Sequence, residues 1–181
     1  YNINSVLKIL KPNCKIIELD HITEGAACTT LLAKKFINTN NPLIIANSDQ
    51  YIKWDSIKSM YNYNQKKIDG SILTFEAIHP KWSYARTDKN SLVTEVAEKK
   101  VISKNATVGV YYWKKGSDYV NCAETMIKKN IRVNNEFYVC PVYNEAIGEG
   151  KKIVIDKVSE MHGLGTPDDL KNFITKKNLT N

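Results

Sequence analysis

Apolar positions along the chain come in two rhythms, short unbroken runs and stretches of helical period, and they alternate. Residues 43–47, LIIAN, form an apolar run closed at once by Ser48, Asp49 and Gln50. A strand buried on both faces, as parallel strands between helix layers are, reads this way. SILTFEAI (71–78), SLVTEVAE (91–98), ATVGVYYW (106–113) and KKIVIDKV (151–158) read as further strands, and CKIIEL (14–19) as a short one. Thr23 is placed to cap a helix over 24–38, with Ala27, Leu31, Leu32 and Phe36 at helical spacing. Helices are also expected over 55–67, over 117–129 and past Pro141 within 134–150. A last helix opens at Thr166-Pro167-Asp168-Asp169, where Thr166 caps, Pro167 suits the first helical position and the two acids oppose the helix dipole. Strands alternating with helices predict an α/β fold, a three-layer sandwich about a mixed, mostly parallel sheet.

No repeat, low-complexity block or Pro/Gly-rich linker divides the 181 residues, so one domain over 1–181 is expected. At 43% hydrophobic and 25% charged the chain can build a core, which excludes wholesale disorder. No stretch approaches the roughly 20 apolar residues of a membrane span. The opening YNINSVLKIL carries neither the basic start nor the cleavage site of a signal peptide, so a cytoplasmic protein is expected. The chain also starts without Met, which raises the expectation of an incomplete N-terminus.

The net charge of +7 comes from lysine: of 26 basic side chains only Arg86 and Arg132 are arginine. The lysines fall in scattered pairs, whereas a nucleic-acid binder clusters its charge and uses Arg for bidentate contacts. Nucleic acid is therefore not an expected partner, while a basic field serves phosphorylated small molecules well. Cys14, Cys28, Cys122 and Cys140 form no C-x-x-C pair and read as reduced and packed; His21, His79 and His162 lack metal-ligand spacing.

Two places could carry chemistry. In open α/β sheets ligands bind beyond the carboxyl ends of strands, and Asp49 stands just past LIIAN. A lone carboxylate there suits Mg²⁺, which needs one or two protein carboxylates besides phosphate oxygens; the plainer reading is a turn cap. Glu98-Lys99 closes another strand. The Lys could neutralise a phosphate and the Glu accept from sugar hydroxyls, or the pair could be a solvated charge cluster, with Lys100 on the opposite face. Gly109, between apolar residues, suggests a bulge or the close approach of a ligand.

The order of these features, from a helix beginning near Gly25 through Ser48-Asp49, Tyr84 and Glu98-Lys99 to Ala106-Thr107-Val108-Gly109-Val110-Tyr111, resembles the sugar-phosphate nucleotidyltransferases. That group holds the glucose-1-phosphate thymidylyltransferases and related sugar-nucleotide pyrophosphorylases. The resemblance runs from about Lys15 to Leu170 and implies a Rossmann-like nucleotidyltransferase fold. It implies an NTP and a phosphorylated sugar or similar acceptor as partners, with homo-oligomers compatible, and Mg²⁺ as cofactor on Asp49. It places Gly25 near the base, Tyr84 and Ala85 facing the sugar, Glu98 on sugar hydroxyls and Lys99 on the acceptor phosphate. Gly109 and Tyr111 complete that side, with Asn135-Glu136 near the sugar. Two departures stand out. The family's glycine-rich, Arg/Lys-bearing triphosphate loop does not occur in these residues, so either the chain is a fragment or the protein lacks half its nucleotide site. Gly163 falls where a second metal-binding Asp is usual, leaving Asp156, Asp168 or Asp169 as substitutes. Both point to a divergent branch, such as those attached to capsule or surface-glycan synthesis. Two rival readings are a nucleotide-sugar-dependent glycosyltransferase of related fold, against which the absence of a second acid in Asp49-Gln50-Tyr51 counts, and a noncatalytic sugar-phosphate-binding protein.

Overall fold

Every apolar run read as a strand, except the first, joins one sheet. The computed structural model describes residues 2–178. Its elements run α1 (Ile3–Leu10), α2 (Ala26–Leu31), α3 (Lys34–Ile37), β1 (Leu43–Ala46), β2 (Gln50–Lys53), α4 (Ser56–Gln65), β3 (Gly70–Glu76), β4 (Tyr84–Thr87), β5 (Val93–Ala97), β6 (Asn105–Trp113), α5 (Gly116–Lys128), α6 (Val142–Gly148), β7 (Ile153–Lys157), β8 (Glu160–Gly163) and α7 (Pro167–Asn178). The main sheet has the order β5-β4-β6-β3-β7, and β1 also lies on β6. The long strand β6 carries β3 on one edge. On its other edge β4 meets its start, Tyr84 opposite Ala106, and β1 its second half, Ala46 opposite Val110 through Leu43 opposite Trp113. β1 therefore ends, along this shared edge, where β4 begins. A cleft opens in that interval.

Alternation along β6 builds two cores. Tyr111 and Trp113 face α5 and α6, where Tyr119, Val120, Ala123, Met126, Val142, Tyr143 and Ala146 are buried. Trp113 stacks on Tyr143 at 4.3 Å between centroids, and the Tyr143 hydroxyl reaches the carbonyls of Tyr112 (2.8 Å) and Ser71 (3.1 Å). On the opposite face Val108 and Val110 pack with Leu73 under Ile52, Trp54 and Met161 of the β2/β8 side, and Tyr112 packs on Tyr63 of α4. The result is the expected three layers: helices, sheet, then α4 with a two-stranded β2/β8 ribbon. The cap of α7 is as read, with Thr166 Oγ1 accepting from Asp169 N at 3.1 Å. Among the described residues no helix is long and apolar enough to cross a membrane.

Several expectations are corrected. The sheet is mixed, and β1, β3, β4 and β7 run in one direction, yet only the β3–β7 pair is parallel because β6 threads antiparallel between the others. CKIIEL is not a strand: no described strand lies beside it to take its hydrogen bonds, and Ile17 and Leu19 stay exposed. The run 43–47 is not buried on both faces, since Ile44 is 46% exposed and β1 pairs only with β6. The helix over 24–38 breaks into α2 and α3. Thr30 Oγ1 bonds back to the Ala27 carbonyl, and Leu32 and Ala33 close tight i→i−3 turns. Thr23 does not cap it; Gly25 holds that position. The helix α1, the strand β4 and the β2/β8 ribbon are additions to the pattern read from sequence.

Candidate functional site

Opposite Ile72–Thr74 of β3, strand β6 spends two extra residues: Ile72 pairs with Tyr111 and Thr74 with Thr107. Gly109 sits in this bulge at φ +71, a left-handed conformation that costs glycine little. The room left by its missing side chain holds the Asn47 carboxamide, which a Cβ on Gly109 would strike. Asn47 N donates to the Gly109 carbonyl at 2.9 Å, and Thr107 N to the Ser83 carbonyl at 2.8 Å. The bulge thus spans the interval between the end of β1 and the start of β4. A cleft of about 320 Å³ opens there, walled by Asn47, Ser83, Glu98, Lys99, Gly109, Tyr111 and Tyr138 among others. That volume sits at the small end of metabolite sites, roughly 300–1,000 Å³.

Glu98 is half-buried and accepts a hydrogen bond from the Ser83 hydroxyl. Burial pushes its carboxyl above the ordinary range, helped by the Glu136 charge and opposed by Ser83 and Lys99. Lys99 is exposed at φ +52, in the turn after β5 rather than on a strand. Its side-chain direction relative to Lys100 therefore does not follow from strand alternation. Its ammonium donates to the Tyr138 hydroxyl at 2.6 Å and stands 4.8 Å from the centre of that ring. The Tyr138 hydrogen bond is the main reason its pKa is raised. On the floor Tyr111 is buried with its hydroxyl 3.2 Å from Thr107 Oγ1, and burial drives both its hydroxyl and the Cys140 thiol well up in pKa. Glu136 follows Asn134 and Asn135, both in left-handed conformation, and its charge acts on Glu98 and Lys99.

Four of the residues singled out in the sequence, Glu98, Lys99, Gly109 and Tyr111, meet in this cleft. Tyr84 and Ala85 do not face it. Both are fully buried in the sheet, Ala85 within the helical core. Tyr84 donates to the His79 carbonyl at 2.7 Å and so fixes the loop that carries Lys81, Trp82 and Ser83, which line the cleft instead. Gly25 stands behind the wall at φ +127, with its α-carbon pressed on the backbone of Phe137, and Ala27 N and Phe137 N clamp the two segments at 2.9 and 2.8 Å. The next residue, Ala26, lines the cleft. Lys81, Trp82, Tyr138 and Asn47 were missed in the sequence because they sit in loops without period. Their only signal was adjacency to motif residues.

Asp49 lies between β1 and β2, exposed, outside the set that walls the cleft. Its carbonyl accepts from Leu164 N at 2.7 Å, and Gly163 pairs with Gln50 across the ribbon, so 163–165 and Asp49 are spatial neighbours. No group of three or more His, Cys, Asp or Glu suited to a metal occurs among the described residues. Of the three substitutes, Asp156 is tied by Trp54 Nε1 (2.9 Å), Ser59 and Tyr63 (2.6 Å), and Asp169 by Thr166 at 2.7 Å; Asp168 lies in the first turn of α7. The donor set nonetheless fits Mg²⁺ in its sparest form, one carboxylate plus substrate phosphates. Gly165 leaves space beside Asp49 Oδ2, where a Cβ would come within 2.8 Å.

No family model matches the chain, and no curated protein matches its sequence. Solved structures do match its fold. A nucleoside-diphosphate-sugar pyrophosphorylase from Vibrio cholerae superposes with a TM-score of 0.76 at 22% identity, over 96% of this chain and 75% of its own. A Bacillus anthracis protein assigned as a glucose-1-phosphate thymidylyltransferase, in complex with a sucrose, gives 0.71 at 17%, over 94% and 70%. A UDP-glucose pyrophosphorylase complexed with UDP-glucose gives 0.70 at 15%, over 97% and 72%. The chain has the fold of the sugar-nucleotide pyrophosphorylases, the group its motif order resembles.

Proposed function

We propose that the chain performs nucleotidyl transfer: an NMP passes from an NTP to a sugar 1-phosphate or similar phosphorylated acceptor, and pyrophosphate leaves. The observation that carries this reading is the cleft at the β1–β4 junction, which sets the Glu98 carboxylate and the Lys99 ammonium beside a backbone wall at Gly109. An acceptor phosphate oxygen attacks the α-phosphorus in line, and the bond from that phosphorus to the pyrophosphate oxygen breaks. The protein's part in such chemistry is positioning and charge neutralisation. Lys99 leaves the Tyr138 hydroxyl for the acceptor phosphate. Glu98 accepts from acceptor hydroxyls, and Gly109 lets the substrate approach the main chain. Asp49 would hold Mg²⁺, which when bound neutralises charge on the α-phosphate and the leaving pyrophosphate. Gly25, packed on Phe137 behind the wall, would lie near the base. The products would feed nucleotide-sugar supply for surface glycans.

The test is pyrophosphate release by the protein with each NTP against a panel of sugar 1-phosphates, across a Mg²⁺ titration. Metal-dependent release with at least one pair is expected. Acceptor binding without turnover for any pair would overturn the transferase reading in favour of a noncatalytic sugar-phosphate binder, a role that glycine at 163 supports.

A further inference from the structure

Two lysines line the cleft, and the mechanism above uses one. Lys81, in the loop fixed by Tyr84, stands 4.7 Å from the centre of the Trp82 ring, much as Lys99 stands 4.8 Å from that of Tyr138, and all four side chains line the same cavity. Some lysines elsewhere do find carboxylates: Lys34, Lys104, Lys129 and Lys151 each lie within ion-pair distance of a Glu or Asp. Neither Lys81 nor Lys99 forms such a pair among the described residues, and the hydrogen-bond partner of Lys99 is the Tyr138 hydroxyl. The carboxylate inside the cleft, Glu98, accepts from the Ser83 hydroxyl. Two positive charges thus face a single carboxylate on one small cavity, each resting on an aromatic face. A ring face holds a cation weakly compared with an anionic oxygen. A phosphate monoester carries about −1.5 to −2 charges at neutral pH, so a single ammonium compensates it only in part.

We propose that Lys81 is a second ligand of the acceptor phosphate, and that on binding Lys81 and Lys99 pass from the Trp82 and Tyr138 rings to oxygens of one phosphate group. The inference rests on the acceptor reading above and deepens it. The exchange uncovers two ring faces in the cavity wall, against which the carbon skeleton of the acceptor then packs. It also makes Trp82 a reporter, because its ring loses a cation when the phosphate arrives.

The experiment titrates the 181-residue chain with inorganic phosphate and with glucose 1-phosphate, followed by calorimetry and tryptophan emission. Trp82→Phe identifies the Trp82 share of that signal. Lys81→Ala and Lys99→Ala are each expected to weaken both probes roughly 10-fold or more, as loss of a charge-assisted bond does, while Lys100→Ala changes them less than about 2-fold. Lys81→Arg should restore most of the affinity, and the emission change should vanish in Lys81→Ala. Wild-type affinity in Lys81→Ala alongside weakened Lys99→Ala overturns the role of Lys81 and leaves the acceptor reading standing. Lysine-dependent binding of both probes without pyrophosphate release supports the two-lysine clamp and overturns the transferase instead. Failure of the wild-type chain to bind either probe overturns both.

Discussion

Lys99 and Lys100 are neighbours of equal charge in unequal settings. The first hangs over the cleft from a left-handed turn, tied to Tyr138, while the second lines no described part of the cavity. Lys99→Ala should remove one charge-assisted hydrogen bond to acceptor phosphate, about 1.5–3 kcal/mol, and so lower kcat/KM for the acceptor roughly 10- to 150-fold. Lys100→Ala should leave it nearly unchanged; steady-state kinetics with varied acceptor checks the pair, and equal effects would remove Lys99 from the site. Glu98 supplies a pH dependence. Its folded-state pKa is raised chiefly by burial, so protonation favours the folded chain. That contribution is complete below the ordinary carboxylate pKa of about 4.3 and is lost as pH rises through the raised value. Glu98→Gln, which keeps an acceptor for Ser83, should therefore gain thermal stability over the wild type as pH climbs from acid to neutral. Melting curves that stay parallel at all pH values would contradict the shift.

Elements with a sustained period were legible, and elements made by partners were not. The long apolar run of β6 and the helical stretch of α5 carry enough positions to fix type and place. The strands β2 and β8 are four residues each, joined across more than a hundred positions, and neither has a pattern to read. CKIIEL shows the converse, a strand-like pattern without a described neighbour to complete it. The candidate site divides in the same way. Glu98, Lys99, Gly109 and Tyr111 flank or occupy strands and meet in the cleft, whereas Tyr84 is buried and does not line it. Gly25 was singled out for its place in the motif order, but it stands behind the wall of the cleft, and its physical role is closeness. A Cβ there would lie 2.5 Å from Phe137 N, backbone that cannot retreat as a side chain could, and the φ is unfavourable as well. Gly25→Ala should destabilise the fold by about 1–3 kcal/mol. Gly148→Ala, in α6 with nothing within 4 Å, should be neutral or stabilising by up to about 1 kcal/mol. Urea denaturation of both variants measures the contrast.

At the scale of the whole molecule the site joins layers. Glu98 and Lys99 follow the main sheet, whereas Asp49 sits where that sheet gives way to the β2/β8 ribbon. Asp49→Asn, at an exposed position, should abolish metal-dependent turnover while the melting temperature stays within a degree or two of the wild type. Unchanged turnover across a Mg²⁺ titration would reduce Asp49 to a turn residue. The layers themselves depend on parity. Between Thr107 and Tyr111 strand β6 takes four steps while β3 takes two, a surplus of two, and an even surplus returns each side chain to the face it left. Thr107 and Tyr111 accordingly meet above the sheet, while Val108 and Val110 both go below. A chain with one of residues 108–110 deleted would carry an odd count. Every side chain before the cut would change sides, exchanging the inward and outward sets at Ala106 and Thr107 and breaking the join to β4. Removal of two residues would keep both cores and erase the recess between them. The cleft is the room made by an even number of surplus residues, and its length can change only in steps of two.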